Sequence, residues 1–271
     1  MKFANQQSFF DYIKTLTLLA SKELGQNFLT NDITARYIVD TLDLNDDEKV
    51  LEIGAGFGSL SYFLAQHKNE LTLLDVDPKI ISFLDEQFGQ ASNIKIQQES
   101  ILKHDVRNYQ KIIGNLPYYI TSDTIQYILL NACSAQRLVF MVQKEVLPRL
   151  LADVGQEGYG PFSLLVAYLG RAKRIMSVGR SQFVPKPNVD SAVVAIDILP
   201  HRDHKTALKL VRITMDLFHH RRKTIRNNLR LLLKDSKRAD DTLLSLGIDG
   251  SKRPQDLPLE SYLALIKQLK F

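Results

Sequence analysis

A glycine-rich segment and one acidic residue have the types and spacing to bind a nucleoside. Gly54, Gly56 and Gly58 follow the apolar run Val50–Ile53, and Asp75 ends the next apolar run, 17 residues after Gly58. Glycines at the end of a strand permit a tight turn and a close approach of the backbone to a ligand. A carboxylate at the end of the second strand can accept hydrogen bonds from the two hydroxyls of a ribose. Together they predict a site for an adenosine-containing cofactor.

The spacing of the glycines indicates which cofactor this is. They follow the pattern G-x-G-x-G, whereas dinucleotide-binding enzymes use G-x-G-x-x-G to hold a pyrophosphate at a helix N-terminus. S-adenosylmethionine has no phosphate and needs no such site, so S-adenosylmethionine is the predicted cofactor. One alternative stays open at this point. The glycines could form only the turn, and Asp75 could only cap the helix that begins near Pro78.

A second segment combines an amide, a proline and two aromatic residues. The run Gly114 to Tyr119 follows the short apolar run Lys111 to Ile113 and contains Asn115 and Pro117. An asparagine is unfavourable in an apolar setting unless its amide is hydrogen-bonded. We therefore expect Asn115 to contact a ligand at the end of this strand.

The elements that would position these two segments alternate between strands and helices. Seven apolar runs predict strands at Val50 to Ile53, Leu71 to Leu74, Ile94 to Gln97, Lys111 to Ile113, Leu138 to Val142, Ile175 to Val178 and Ala192 to Leu199. Apolar residues at helical spacing separate most of these runs. The order predicts an α/β fold with a mostly parallel, Rossmann-like sheet. Because no helix separates the last two strands, they should form an antiparallel pair at one edge.

Beyond Pro200 the pattern is helical only, with helices expected at about 204–218, 222–234, 238–246 and 258–269. We therefore predict two domains. A cofactor-binding catalytic domain covers residues 1–200, of which 1–20 are an N-terminal extension with an amphipathic helix. A small all-α domain covers residues 201–271.

Charge is unevenly distributed between these two regions. Residues 201–271 contain 16 Lys and Arg against 8 Asp and Glu, whereas residues 1–200 contain 19 against 22. A basic region of this kind indicates a polyanionic partner, although a solvated basic face explains the charge alone equally well. Arg222, Arg226 and Arg230 are spaced at i, i+4 and i+8, so they would share one face of a helix.

Several classes of protein and site are excluded by what the sequence lacks. Cys133 is the only cysteine, so we expect no internal disulfide and a cytoplasmic location. No segment approaches about 20 apolar residues, so no membrane contact is expected. His219 and His220 are adjacent and would point apart on a helix without a carboxylate spaced to join them, so we expect no metal site.

Five segments resemble one family of enzymes. The run Asn115 to Tyr118 is similar to the catalytic motif of methyltransferases that act on the amino group of adenine. Four further segments are similar to the small-subunit ribosomal RNA adenine dimethyltransferases, namely Leu24 to Leu29, Gln143 to Val146, Phe183 to Ala192 and Phe218 to Asn227. The resemblance extends from about Ser21 to the C-terminus.

The resemblance implies an activity and its partners. Such an enzyme uses S-adenosylmethionine to dimethylate the exocyclic amino groups of two adjacent adenosines near the 3′ end of 16S rRNA. It acts during maturation of the small ribosomal subunit, and we expect it to work as a monomer. A base inside a helix cannot reach the cofactor, so the enzyme should act on an unstacked or flipped adenine.

The resemblance also implies the residues of the site. The cofactor would be bound by Asn27, Leu29, Gly54, Gly56, Asp75, Glu99 and Asn115. Asn115 and the carbonyl of Leu116 would hold the target amino group, and Tyr118 and Phe183 would stack on the base. RNA would be contacted by Arg221, Arg222, Lys223, Arg226 and Arg230. Methyl transfer of this kind needs mainly positioning and no strong general base.

Some positions depart from the family pattern. Asp75 stands where a glutamate is usual and Glu99 where an aspartate is usual, so each carboxylate persists with its length changed by one methylene. Asp123 occupies a position where proline is common. Pro148 is expected to interrupt the helix that follows Lys144.

Two other functions stay open on the sequence. The chain could be a large-subunit rRNA adenine methyltransferase of the macrolide-resistance type, or a non-catalytic RNA-binding assembly factor on the same fold. Leu116 and the segment Phe183 to Ala192 favour the small-subunit enzyme. The intact motif from Asn115 to Tyr118 argues against a non-catalytic protein.

Overall fold

The computed structural model describes residues 5–16, 25–200 and 203–269. The chain divides into two compact units, one formed by residues 1–144 and 173–198 and the other by residues 145–172 and 199–271. Leu24, the first residue of one of the family-like segments, lies outside the described residues, as do parts of the predicted N-terminal extension.

In the described residues, nine strands form two sheets. They are β1 (Phe28–Leu29), β2 (Val50–Ile53), β3 (Leu71–Asp75), β4 (Ile94–Gln98), β5 (Lys111–Asn115), β6 (Arg137–Gln143), β7 (Gly170–Val178), β8 (Phe183–Val184) and β9 (Ser191–Ile198). The main sheet has the order β4-β3-β2-β5-β6-β9-β7, with β4 to β6 parallel and β9 antiparallel to β6. The short strands β1 and β8 pair antiparallel in a separate sheet. The predicted fold class is confirmed.

Register brings three strand ends to one level. Ile53 of β2 lies opposite Leu74 of β3 and Gly114 of β5. A side chain at position 114 would place its Cβ 2.6 Å from the Ile53 carbonyl oxygen, so only glycine allows β5 to approach β2 this closely. Asp75 and Asn115, the last residues of β3 and β5, therefore reach the same edge of the sheet.

The described part of the first unit contains the helices α1 (Gln6–Thr15), α2 (Asp32–Asp40), α3 (Ser61–Leu64), α4 (Pro78–Phe88) and α5 (Thr121–Asn131). Helix α1 is amphipathic as predicted, and Asn5 caps it by accepting a hydrogen bond from the Ser8 amide. Phe9, on its buried face, stacks on Tyr62 with ring centroids 4.7 Å apart. The N-terminal helix is thus part of the apolar core of this unit.

The second unit is helical in its described part. It contains α6 (Leu147–Leu151), α7 (Pro161–Leu169), α8 (His204–His219), α9 (Ile225–Leu233), α10 (Ser236–Ser245) and α11 (Leu259–Leu269). Tyr159 and Leu164 are buried in one cluster with Leu210 and Tyr262. Residues 145–172 therefore group with the C-terminal helices, which differs from the sequence prediction of a single division at residue 200.

Pro148 does not interrupt a helix. It lies in the first turn of α6, where the missing N–H of proline leaves no intrahelical hydrogen bond unmade. Among the described helices, none is long and apolar enough to cross a membrane.

Candidate active site

A cavity of about 260 Å³ lies at the carboxyl ends of β2, β3 and β5. Its walls come from residues 25–29, 52–57, 59–60, 74–76, 99–102 and 115–120. They include every residue that the sequence suggested for the cofactor, namely Asn27, Leu29, Gly54, Gly56, Asp75, Glu99 and Asn115. Of the described residues that line the cavity, none is Lys or Arg. The wall is therefore poorly suited to a phosphate and well suited to a ligand without one.

The glycine loop after β2 is held against β3. Gly54 and Gly56 have φ angles of +63° and +54°, a region that side chains disfavour. The amides of Gly54 and Ala55 donate to the Leu74 carbonyl at 2.8 and 3.1 Å. The loop is thus a fixed turn whose backbone forms part of the cavity wall.

Both carboxylate oxygens of Asp75 accept hydrogen bonds from backbone amides. Its Oδ2 accepts from the Gly56 amide and its Oδ1 from the Asp77 amide, each at 3.0 Å. Burial raises the pKa of Asp75, while these amide donors act in the opposite direction. The cap of α4 is Asp77, which accepts from the Lys79 amide. Asp75 therefore does not cap that helix, and its remaining lone pairs can accept hydrogen bonds from a ligand.

Glu52 is a residue of this cavity that the sequence analysis did not identify. It is 1% exposed within β2, and its Oε2 accepts from the Ser61 hydroxyl at 2.6 Å. Burial raises its pKa to about 8, and the nearby Asp75 adds to the shift. The sequence feature that could have identified Glu52 is a carboxylate inside an otherwise apolar strand, between Leu51 and Ile53. Near neutral pH this raised pKa keeps the Glu52 carboxyl group protonated, so Glu52 contributes a buried polar group to the wall and not a charge.

Glu99 lines the cavity and is tied to a buried histidine. Its Oε2 lies 2.8 Å from His104 Nδ1, and His104 Nε2 lies 3.0 Å from the Tyr109 hydroxyl. The Tyr109 hydroxyl in turn donates to Thr72. Because His104 is 6% exposed, this series of hydrogen bonds restricts where the Glu99 carboxylate can lie.

Asn115 has a fixed amide orientation. Its Nδ2 donates to the Asn27 carbonyl at 2.8 Å, and a carbonyl oxygen can only accept. The side-chain oxygen Oδ1 is therefore the group left to act as an acceptor. Asn27 is itself held, since its Nδ2 donates to the Gly25 carbonyl at 3.0 Å. The segment before β1 and the segment after β5 are thus joined at the cavity.

The two aromatic residues expected to stack on a base differ in the structure. Tyr118 lines the cavity, with its hydroxyl 3.4 Å from the Ser191 hydroxyl. Phe183 is 2% exposed, belongs to the apolar core, and pairs with Leu29 in the sheet of β1 and β8. The small sheet of β1 and β8 gives the Phe183 ring an apolar core to enter. In this structure Phe183 has no exposed ring face for a base, whereas Tyr118 is placed beside the cavity.

A family model described as ribosomal RNA adenine dimethylase matches residues 18–270. The chain belongs to the ribosomal RNA adenine dimethylase family. The small-subunit rRNA methyltransferase A of Pseudomonas savastanoi is 35% identical over 261 residues, covering 92% of this chain and 94% of that protein. The protein of the same name from Malacoplasma penetrans is 34% identical and covers 96% of both chains. The family and enzyme class predicted from the sequence are confirmed.

Two solved structures share the fold of this chain. A dimethyladenosine transferase from Plasmodium falciparum has a TM-score of 0.76 at 23% identity, over 89% of this chain and 96% of that one. The 23S rRNA methyltransferase ErmE has a TM-score of 0.69 at 24% identity, over 90% of this chain and 100% of that one. At these identities the likeness shows the fold alone.

In this dimethylase the five basic residues expected to bind RNA have different surroundings. Arg222 and Lys223 are exposed, and Arg221 donates to the Glu157 carbonyl at 2.7 Å. The other two share one carboxylate on α10, with Arg230 Nη2 2.6 Å and Arg226 Nε 3.6 Å from Asp240. The predicted arginine face of α9 is therefore partly neutralised within the unit.

No group of three or more His, Cys, Asp or Glu in the described parts of the chain is arranged to hold a metal ion. The imidazole rings of His219 and His220 lie at 71° to one another, with centroids 4.7 Å apart. This geometry does not direct both rings to one ion.

Proposed function

We propose that this dimethylase transfers methyl groups from S-adenosylmethionine to the exocyclic amino groups of two adjacent adenosines near the 3′ end of 16S rRNA. Family membership and relatives named small-subunit methyltransferase A support the reaction and the substrate. The single observation that carries the mechanism is the orientation of Asn115, whose amide hydrogen-bonds to Asn27 and leaves one acceptor at the cavity.

The cavity fits the proposed cofactor by its chemistry. Asp75 has acceptor capacity beyond its two amide donors and would bind the ribose hydroxyls. Asp75 gives the wall a carboxylate that suits a sulfonium and an ammonium group, and the described lining residues include no Lys or Arg to pair with a phosphate. When bound, S-adenosylmethionine supplies an electrophilic methyl group. Asn27, Leu29, Gly54, Gly56 and Glu99 would complete its site.

Asn115 and Leu116 would prepare the target nitrogen. The lone pair of an adenine amino group is delocalised into the ring and is a weak nucleophile. Acceptors at Asn115 Oδ1 and the Leu116 carbonyl would hold the two N–H bonds and favour a pyramidal nitrogen. The turn keeps both groups in place, because the Leu116 amide donates to the Met141 carbonyl at 3.1 Å. The contribution is positioning, and no general base is required.

Tyr118 would contact the flipped adenine. It is placed beside the cavity and directly follows Pro117, whose φ is fixed. Aromatic stacking compensates part of the cost of removing a base from its helix. We assign this role to Tyr118 and not to the buried Phe183.

The biological setting is part of the same proposal. The substrate would be 16S rRNA in an assembling small subunit, the enzyme would act as a monomer, and the reaction would take place in the cytoplasm. The names of the relatives support the small subunit over the large subunit. Mapping dimethylated adenines in rRNA from cells with and without the protein tests this choice. Loss of a 23S modification with intact 16S modification would show that the alternative is right.

Replacing Asn115 with Ala tests the mechanism. The variant loses the acceptor that would be used most strongly as the nitrogen becomes pyramidal. We expect single-turnover methylation at saturating cofactor and RNA to fall by about thirtyfold to a thousandfold, equivalent to ~2 to 4 kcal/mol. Melting temperature is measured alongside.

Asn93→Ala is the matched control for this experiment. Asn93 also donates from its amide to a carbonyl, that of Asn69 at 3.0 Å, but it lies outside the cavity wall. Its removal should cost similar stability without lowering the rate. Near-normal turnover of a folded Asn115→Ala protein would contradict the mechanism. A stability loss far beyond that of Asn93→Ala would show that Asn115 serves mainly to hold the turn.

A further inference from the structure

Helix α8 has one fully buried side and one exposed side with unusual composition. Leu210, Ile213 and Leu217 are completely buried in the core of the second unit. On the opposite side, Leu208 and Met215 are 56% and 61% exposed. Exposed apolar side chains that lie together and are bordered by polar residues mark an interaction surface.

Two cations and one carboxylate accompany these apolar side chains. Positions 208, 212 and 215 are separated by four and three residues, so Arg212 lies between Leu208 and Met215 on one side of the helix. Lys209 lies three residues before Arg212 and borders the same face. Both side chains are exposed. Asp216, the only acidic residue in the sequence of α8, is also exposed and follows Arg212 by four residues on this side.

These cations differ from the arginines of α9 in their partners. Within residues 5–16, 25–200 and 203–269, Lys209 and Arg212 form no ion pair, whereas Arg226 and Arg230 both lie against Asp240. A phosphate could therefore bind at α8 without displacing an internal carboxylate. Binding at Arg226 and Arg230 would have to break contacts that join α9 to α10.

The turn after α8 continues the cationic surface and has a fixed shape. Asn228 is 3% exposed, and its Nδ2 lies 3.2 to 3.3 Å from the carbonyl oxygens of His220, Lys223 and Thr224. Thr224 in turn caps α9. The backbone of the turn is thus held from inside, and Arg222 and Lys223 extend from it into solvent.

We propose that the RNA substrate binds the face of α8 formed by Leu208, Lys209, Arg212 and Met215, beside the turn whose Arg222 and Lys223 the family resemblance already assigns to RNA. The inference rests on the proposed function and deepens it. The cations bind phosphates, and the two aliphatic side chains lie against sugars and bases of an irregular RNA segment. The second unit holds 18 Lys and Arg against 11 Asp and Glu, so its overall charge favours a polyanion over an acidic or neutral protein surface.

A charge-reversed pair tests the proposal. The full-length K209E/R212E variant is titrated with protein-free small-subunit rRNA at several salt concentrations. Two lost phosphate contacts should raise Kd at least about tenfold near 0.1 M salt and lower the slope of log K against log salt by about 1.4 to 1.8. Cofactor affinity and melting temperature should stay close to those of the original protein. K209Q/R212Q repeats the test without introducing new negative charge.

The control variant makes the same change of net charge at a different helix. Lys237 and Arg238 are exposed on α10, so K237E/R238E alters the total charge equally without touching the α8 face. Its slope should remain unchanged. If K209E/R212E binds rRNA no more weakly than K237E/R238E, the inference is overturned.

Replacing the apolar residues Leu208 and Met215 provides a second, independent test. L208S/M215S should weaken binding to protein-free rRNA severalfold with little change in salt slope, because no charge is removed. If this variant loses affinity for whole small subunits but not for protein-free rRNA, the face binds a ribosomal protein and the inference is overturned. Methylation by the unmodified chain is measured on small subunits that lack the modification. If it methylates them normally while both variants bind rRNA normally, the inference fails alone. If it does not methylate them, the proposed function fails as well.

Discussion

The cavity of the first unit and the basic surface of the second unit hold their ionisable side chains in opposite ways. In the cavity, Asp75 and Glu52 are buried and accept hydrogen bonds from protein donors. On the second unit, Arg222 and Lys223 are exposed, whereas Arg226 and Arg230 lie against the carboxylate of Asp240. A preorganised buried site gives selectivity for one ligand, whereas an exposed cationic surface gives salt-dependent affinity for any polyanion.

The largest effect that would test the buried side of this comparison is a change of stability with pH. The pKa of Glu52 is raised from 4.5 to about 8 in the folded chain. Between these values the unfolded chain releases the proton and the folded chain keeps it, so this residue lowers stability as pH rises through that range. Glu52→Gln removes the penalty. The variant should gain stability relative to the original protein between pH 4.5 and 8, by at most about 5 kcal/mol.

Urea unfolding at a series of pH values measures this gain. Glu70→Gln is the control, because it removes a carboxylate that is 69% exposed and leaves the cavity unchanged. A stability difference between Glu52→Gln and the original protein that does not vary with pH would mean that Glu52 is ionised in the folded state. The cavity would then carry its charge before a ligand binds.

A medium effect is expected from a side chain in the glycine loop. Gly56 has a φ of +54°, and a Cβ there would lie 3.0 Å from two carbons of the Phe28 ring. Gly56→Ala should cost ~2 kcal/mol of stability through backbone strain and displacement of that ring. Because its amide donates to Asp75, affinity for S-adenosylmethionine should also fall, by about tenfold or more.

Gly155→Ala separates backbone strain from the effect on the site. Gly155 has a φ of +81°, and a Cβ there would meet no atom within 4 Å. This control should lose stability without losing cofactor affinity, as measured by calorimetry. Equal affinities for the two variants would contradict the assignment of the loop to the cofactor.

The smallest expected effect comes from a substitution on the basic surface of the second unit. Arg230→Ala should lower the melting temperature slightly, since Asp240 loses its nearer partner and the pair is substantially exposed. Arg230 holds the pKa of Asp240 below its usual value, so the lost stability belongs to the range above the unfolded pKa and vanishes as pH falls. RNA affinity should change less than in an Arg222→Ala protein. A larger loss of affinity in Arg230→Ala would show that Arg230 binds RNA in spite of its internal partner.

Local patterns in the sequence were enough to predict most of the strands and helices of the fold. All seven predicted strands are present, because each combines an apolar run with a flanking turn signal, and the four C-terminal helices follow the 3.6-residue spacing of their buried side chains. Strands β1 and β8 were missed because two residues cannot show a period. Every cofactor residue that was expected from the motif resemblance lines one cavity, because parallel strands end at a common edge of the sheet.

The amino-acid sequence by itself determined the strands of the main sheet and the C-terminal helices, since these depend on spacing along the chain, and its resemblance to a family indicated seven of the residues that line the cavity. Tertiary structure alone decided how side chains distant in sequence pair. It buried Phe183 against β1, placed a proton-binding Glu52 beside Asp75, and neutralised Arg226 and Arg230 with Asp240. Burial and ion pairing depend on which elements pack together, and no local pattern specifies those neighbours.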